Sequence, residues 1–206
     1  MTRPIDPGRL SRRRRLRLRR GDRGATLVEG ALAAPLFFLL IFSIIEFSMV
    51  FRQYLTVTSA VRAAARAAST GGNDGNADYL TLKEISRSSP AIQTSEIEFI
   101  VIYKAATVES TPENDATLAG CLTGPVVDKC NWYLPSALSL SATSFGCGGS
   151  DPDRYWCPMD RLVSLTDPPD HIGVLMRTKY NAITGVFGKN YTFNEEAVFR
   201  MEPRQR

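Results

Sequence analysis

A long apolar run near the start of the chain dominates its hydrophobic pattern. Residues 30–45 carry no charge, and continuing through Glu46 to Phe51 makes the run 22 residues long. At ~1.5 Å per residue a helix of that length measures roughly 33 Å, enough to cross a hydrocarbon core of ~30 Å. The pattern therefore predicts one transmembrane helix, which we place at residues 25–51.

The helical pattern continues beyond the apolar run, over residues 52–70. Alanines crowd residues 60–68 and favour helix. Apolar positions recur every three or four residues and predict one buried face, made of Tyr54, Val57, Val61, Ala64, Ala65 and Ala68. Arg62 and Arg66 fall on the other face, which we expect to be solvated. Gly, Asn and Asp residues at 69–78 end the helix.

The remaining residues, 71–206, predict an α+β domain. The segment "YLTLKEISRS" favours a short helix before Pro90, and residues 96–104, 171–180 and 191–202 alternate apolar and polar positions as strands do. In the first strand we expect one face to carry Ile97, Phe99, Val101 and Tyr103. Residues 105–168 form a long insert rich in Ser, Thr, Gly, Pro and Asp.

All four cysteines lie in that insert, at Cys121, Cys130, Cys147 and Cys157. Their spacing contains no CxxC pair, and the single histidine, His171, is not near them in sequence, so a zinc site is disfavoured. Two disulfides in an oxidising compartment are the better interpretation. Of the three possible connectivities we favour the local one, Cys121–Cys130 and Cys147–Cys157, although the sequence does not decide between them. The aromatic pairs beside cysteines, Trp132–Tyr133 and Tyr155–Trp156, are expected to pack on the bridges rather than bind sugar.

Charge is divided unevenly along the chain. Residues 1–24 contain ten Arg and two Asp, a net charge of +8, so the remainder must carry −4 to give the total of +4. An arginine-rich tail can bind nucleic acid, but a tail followed directly by an apolar run is typical of the cytoplasmic flank of a membrane helix. We therefore predict a membrane lipid environment, no nucleic-acid partner, the N-terminus in the cytoplasm and the C-terminal domain outside.

The junction between the basic tail and the apolar run has a further pattern. A secretory signal peptide is disfavoured because the run exceeds the usual length of ~7–15 residues and its A-x-A matches lie well past its end. Instead, a basic residue and Gly24 precede Ala25, and Glu29 is the fifth residue after the glycine. This resembles the leader of type IV prepilins and pseudopilins, which a prepilin peptidase cuts after the glycine. The resemblance implies that the new α-amine pairs with Glu29 of a neighbouring subunit.

The resemblance extends to the TadE-like family, the pseudopilins of tight-adherence (Tad) pilus systems. It rests on Gly24, Glu29, Pro35, the "IIEF" segment at residues 44–47, the "AVRAAARAA" helix at 60–68 and the closing "AVFRMEP" at 197–203. The family implies a pseudopilin-like α+β fold, in which one long N-terminal helix packs on a small antiparallel sheet. It also implies a single-pass protein of the bacterial inner membrane. Its expected partners are the prepilin peptidase, other Tad pilins and pseudopilins, and the inner-membrane assembly platform.

Glu46 has two interpretations that the sequence leaves open. At 17 residues after Glu29 it lies ~25 Å further along a helix, near the outer rim of the membrane. Its carboxylate either reaches interfacial water or contacts an Arg or amide of another pseudopilin. Both positions avoid the cost of a charge in mid-membrane.

Nothing in the sequence favours catalysis. Asp74, Asn76 and Asp78 mimic the start of a calcium loop, but Tyr79 and Ile85 occupy the positions of its required Gly and Glu, so we predict a turn. No nucleophile motif or phosphate-binding loop is present, and His171 beside Asp170 is weak evidence for a base. We predict a structural protein with no cofactor, metal or small-molecule substrate. The alternative is a signal-anchored extracytoplasmic binding or adhesion domain outside any pilus.

Overall fold

The computed structural model describes residues 22–164, 167–185 and 188–203. By contacts the chain divides into two units, Met1–Phe42 and Ser43–Arg206. Helix α1, Asp22–Gly71, contributes to both, and each unit is described by itself.

The described part of the first unit is helical. Its large apolar side chains are exposed, with Leu27, Leu32 and Leu36 at 70% or more. Pro35 lies inside the helix. A helix with large exposed apolar side chains of this kind is typical of one surrounded by lipid or by other apolar helices.

A four-stranded antiparallel sheet forms the centre of the second unit. Its strands are β1 (Ile97–Ala105), β2 (Cys130–Tyr133), β3 (His171–Asn181) and β4 (Asn190–Arg200), in the order β2-β1-β3-β4. A second helix, α2 (Ala77–Ser88), follows α1 after a short turn. These elements confirm the α+β class predicted from the sequence.

One face of the sheet packs on the two helices. The small side chains of α1 allow close packing, and those at the positions predicted from Val57 to Ala68 are fully buried. Ile100 and Ile102 of β1 and alternate residues of β3 meet them from the sheet side, together with Leu82 and Ile85 of α2. Tyr54, predicted on the same helix face, is 39% exposed and lies at its margin.

The insert covers the opposite face of the sheet. Leu118, Cys121 and Cys130 join Phe99, Val101 and Leu175 in a second apolar cluster. The insert is better ordered than its composition suggests, because it contains β2 and several short 3-10 turns. Its Phe145, Trp156 and Val163 also reach the first cluster.

One residue of the predicted strand pattern was assigned to the wrong face. A bulge between Ile97 and Phe99 shifts the β1–β3 register. The extra residue moves Ile97 into the helix-facing cluster, while Phe99, Val101 and Tyr103 keep the other face. Strict alternation in the sequence cannot reveal such a bulge.

Two disulfides tie the insert together. They join Cys121 to Cys130 and Cys147 to Cys157, which is the local connectivity that the sequence analysis favours. Trp132 packs in the cluster that holds the first bridge and stacks on Phe99, with ring centroids 5.4 Å apart. It lies on β2 rather than in a loop.

Candidate functional site

The residues predicted at the processing junction lie at the start of α1. Gly24 is in its first turn, and a Cβ built there would meet nothing within 4 Å. Glu29 and Pro35 are exposed on the same helix. Within the described residues, nothing packs so closely on position 24 that a glycine is required there. The backbone at Gly24 is therefore open to an external partner.

Glu46 is in a different situation from Glu29, because it is 3% exposed. The hydroxyl of Thr184 donates a hydrogen bond to its Oε2, and the backbone N–H of Gly185 donates to its Oε1 at 3.3 Å. Both donors lie between β3 and β4. Neither interpretation offered by the sequence, water or another subunit, includes this partner: the carboxylate is bound within its own chain.

Further contacts between α1 and β4 form what we call the helix–strand seam. The rings of Tyr54 and Phe193 lie 6.1 Å apart, Thr58 Oγ1 donates to Glu195 at 3.0 Å, and the Arg66 guanidinium lies 6.0 Å from the Phe199 ring centroid. Two strand residues advance ~6.8 Å and four helix residues ~6 Å, so alternate residues of β4 stay beside successive turns of α1.

The far end of the seam is closed by backbone contacts. Ser69 Oγ donates to the carbonyl of Arg200 at 2.6 Å, and Glu202 N–H donates to the carbonyl of Ser69 at 3.3 Å. Met201 between them is 1% exposed. The closing "RMEP" segment therefore packs against the end of α1, in the same unit as Glu46.

A buried ion pair holds the insert to the second helix. Arg161 Nη2 lies 2.7 Å from Asp78 Oδ1, and both side chains are fully buried. Tyr133 and Asn131 of β2 donate to Asp78 Oδ2 at 2.6 Å and 2.8 Å. The Arg161 guanidinium also stacks 4.2 Å from the Trp156 ring centroid. Burial and the neighbouring Asp78 raise the pKa of the Tyr133 phenol well above its ordinary value, so Tyr133 remains a donor.

This network changes the interpretation of the acidic turn at residues 74–78. Asp78 points into the protein and binds Arg161, while Asp74 accepts a hydrogen bond from the N–H of Asn76 at 2.8 Å. Among the described residues there is no group of three or more His, Cys, Asp or Glu that could hold a metal ion. Asp170, the neighbour of His171, pairs with Lys104 at 3.1 Å.

Together these features define a class: an α+β protein whose long apolar helix packs, through its second part, on a disulfide-bearing antiparallel sheet. Within the described residues one helix, Gly24–Gly71, has the length and composition to span a membrane. Residues 24–66 match the family model of TadE-like protein, which confirms the resemblance seen in the sequence over those residues. The TadE-like family is a structural family associated with the Tad pilus, and it is not known for enzymatic activity. Comparison with curated proteins finds no match, and comparison with solved structures finds none.

Sequence reasoning missed the partners of the two buried carboxylates. Thr184 lies 138 residues from Glu46, and Arg161 lies 83 residues from Asp78. No local pattern links residues so far apart. For Glu46 the available signal was the carboxylate itself, since a charge inside an apolar helix requires a partner. Asp78 lies on the polar helix α2 and gave no such signal.

Proposed function

We propose that this protein is a minor pseudopilin of a Tad pilus assembly system, with an assembly role and no catalytic one. The observation that carries the proposal is the family match over residues 24–66, which contains Gly24, Glu29, Pro35 and Glu46. In this role α1 anchors the protein in the inner membrane and associates laterally with the helices of other pilins. The basic tail stays in the cytoplasm, and the sheet domain lies outside.

The environment of Gly24 supports a processing site at this position. Since the described residues leave open space beside its Cα, a side chain here would disturb no packing of the protein itself. A peptidase that must approach the backbone closely would still be obstructed. Glu29, exposed near the new N-terminus, is then available to the α-amine of a neighbouring subunit.

The N-terminus of the mature protein in membrane fractions tests the proposal. Mass spectrometry in cells with an active prepilin peptidase should find a chain that starts at Ala25, and cells without the peptidase should keep residues 1–24. The matched variant is Gly24→Val, which we expect to fold normally and remain uncut. An intact leader on the wild-type chain beside an active peptidase would rule out processing and favour the signal-anchored binding domain.

Assembly requires a second measurement. Glu29→Ala should be processed at Gly24 but should no longer co-purify with the pilins and the inner-membrane platform. If it co-purified as well as wild type, Glu29 would have no part in lateral association. Glu29 is exposed, so a loss of folding is not expected to obscure the result.

A further inference from the structure

We propose that the described part of the connection between β3 and β4 docks on the lipid boundary of the membrane that α1 spans. We call the described residues 182–185, 188 and 189 the hairpin tip. The occupant of the apolar groove beside it is then the acyl chains of the outer leaflet, near their headgroups. The inference goes beyond pilus assembly, since it requires only that α1 spans a membrane.

The length of the apolar run is the first argument. The uncharged residues 30–45 make a helix of ~24 Å, which is shorter than a hydrocarbon core of ~30 Å. A spanning helix must therefore bring Glu29 or Glu46 to the edge of the hydrocarbon. Lipid-facing polar groups at that depth need a partner from the protein or from interfacial water.

Glu46 has such a partner, supplied by the hairpin tip. Thr184 and Gly185 donate to its two carboxylate oxygens and leave the side chain 3% exposed. The apolar residues that follow it on α1 are nevertheless open, with Phe47 at 73% and Phe51 at 52% exposed. An exposed apolar surface around a shielded carboxylate suits the edge of a bilayer better than bulk water.

The groove beside Glu46 has the same character. It measures about 550 Å³ and is lined by Ser43, Ile44, Phe47, Val50 and Tyr191, besides Glu46 and Ser48. Ser43 and Ile44 belong to the predicted membrane-spanning run, so the groove continues the surface that lipid must cover. This continuity selects acyl chains as the occupant.

The composition of the hairpin tip fits the boundary rather than the centre of a bilayer. Ile183 is 69% exposed and offers an apolar side chain, while Lys189 is exposed and offers a cation to lipid phosphates. Tyr191, beside Gly188, is of the amphipathic type that concentrates at membrane interfaces. The non-helical backbone of the tip would not be stable deeper, where water is absent.

Fluorescence quenching tests the proposed depth on the full chain. Ile183→Trp is reconstituted at low density in vesicles of phosphatidylethanolamine and phosphatidylglycerol, with a fraction of the lipid brominated close to the headgroup. We expect its quenched fraction to exceed that of the wild type, which contains Trp132 and Trp156, by about twofold or more, as for side chains seated at the headgroup–acyl boundary.

Two matched variants fix the scale. Val127→Trp is a control for a side chain away from the membrane, since Val127 is 66% exposed and adjoins the end of β2 that pairs with Tyr103. Tyr103 pairs in turn with Gly173 of β3. Gly173 lies eight residues before Asn181, where β3 ends at the hairpin tip, so it is ~27 Å from the tip along the strand. The second variant is Ile44→Trp, at a residue of α1 that is 59% exposed. Its quenching reports whether the helix lies in lipid.

The outcomes separate this inference from the proposed function. Strong quenching of Ile44→Trp and Ile183→Trp, with Val127→Trp at the wild-type level, supports the inference. Quenching of Ile44→Trp alone overturns it and leaves the pilus role intact. Emission from Ile183→Trp that changes with protein density at fixed lipid content also overturns it, because a second copy of the chain then fills the groove. Absence of quenching at Ile44→Trp overturns the membrane-spanning helix itself.

Discussion

Thr184 donates its hydroxyl hydrogen bond to the carboxylate of Glu46, across 138 residues of sequence. The contact joins the connection between β3 and β4 to the apolar helix α1. Glu46 is the first charged residue on that helix after Glu29. The contact explains how a carboxylate can remain in an apolar environment without a second protein. It also gives the hairpin a fixed position on α1.

Removing the carboxylate should release the hairpin. Glu46→Ala deletes both hydrogen bonds, and bonds to a charged group contribute ~1.5–3 kcal/mol each at most sites. We expect amide hydrogen exchange at Gly185 to become at least about tenfold faster, measured by mass spectrometry on the detergent-solubilised chain. Glu29→Ala, an exposed glutamate of the same helix, is the control. Unchanged exchange at Gly185 in Glu46→Ala would show that the hairpin is held elsewhere.

The buried ion pair should be the most sensitive polar contact of the sheet domain. Asp78→Ala leaves Arg161 charged, fully buried and unpaired, which typically costs ~3–5 kcal/mol. Thermal unfolding followed by near-ultraviolet circular dichroism measures the loss, with the exposed Asp74→Ala as control.

A double variant separates the pair from its surroundings. Asp78→Ala with Arg161→Met removes both charges and should recover much of the lost stability. If the double variant were as unstable as the sum of the single variants, the ion pair would not be the cause.

Gly173 is predicted to tolerate no side chain. It pairs with Tyr103 across β1 and β3, and a Cβ at position 173 would lie 2.1 Å from Cζ of the Tyr103 ring. Since the ring is fully buried, Gly173→Ala should destabilise the domain by ~1–3 kcal/mol. Gly124→Ala is the matched control because nothing lies within 4 Å of its Cβ position. Equal chemical unfolding midpoints for the two variants would contradict the close contact.

Each disulfide should stabilise the domain by closing a short loop. The Cys147–Cys157 bridge spans a sequence separation of 10, for which chain entropy gives ~2–3 kcal/mol. A Cys147→Ser/Cys157→Ser variant should therefore melt at a lower temperature than the wild type under oxidising conditions. With a reductant present the difference should shrink, and a difference that persisted unchanged would point to lost packing instead.

The half-buried Glu196 should make stability depend on pH. Burial raises the pKa of its carboxyl, and the nearby Glu113 and Glu195 raise it further, while a hydrogen bond with Thr111 lowers it. A folded-state pKa above the unfolded one favours the protonated form, so this contribution is present at low pH and is lost as pH rises through the folded pKa. Glu196→Gln should therefore raise the melting temperature at pH ~7–8 and change it little near pH ~4. The control is Glu98→Gln, at an exposed residue of β1; an equal gain from both variants would contradict the role of burial.

The apolar helix, three of the four strands and the family resemblance were predictable because each depends on residues that are close together in the sequence. The buried positions from Val57 to Ala68 follow helical spacing, and β1, β3 and β4 follow alternation closely enough to be located. The short strand β2 was not, since four residues give alternation too little length to stand out from the insert. The bulge that turns Ile97 toward the helices breaks the alternation that was used to place it.

The partners of the charged groups were not predictable, for a related reason. Glu46 is recognisable as a residue that needs a partner because it lies in an apolar run, but the identity of that partner depends on how the chain folds back. Asp78 lies in a polar segment that predicts a turn, so the sequence does not show that it is buried. Thr184 and Arg161 carry no mark in the sequence that assigns them to these carboxylates. The sequence therefore indicates that Glu46 must be paired, whereas the burial of Asp78 and the partners of both carboxylates depend on the tertiary structure.

Alternate residues of β4 lie beside successive turns of α1, so the length of the helix and the length of the strand are coupled. The sequence sets these two lengths in separate segments. Contacts run from Glu46 to Ser69 on the helix and from Gly185 to Arg200 on the hairpin side. Inserting one residue into that stretch of α1 would rotate everything beyond it by ~100° and move its contacts off the strand. A change in helix length is therefore tolerable only together with a compensating change in the hairpin, so variation in this segment is expected to occur as paired insertions or deletions of about one turn.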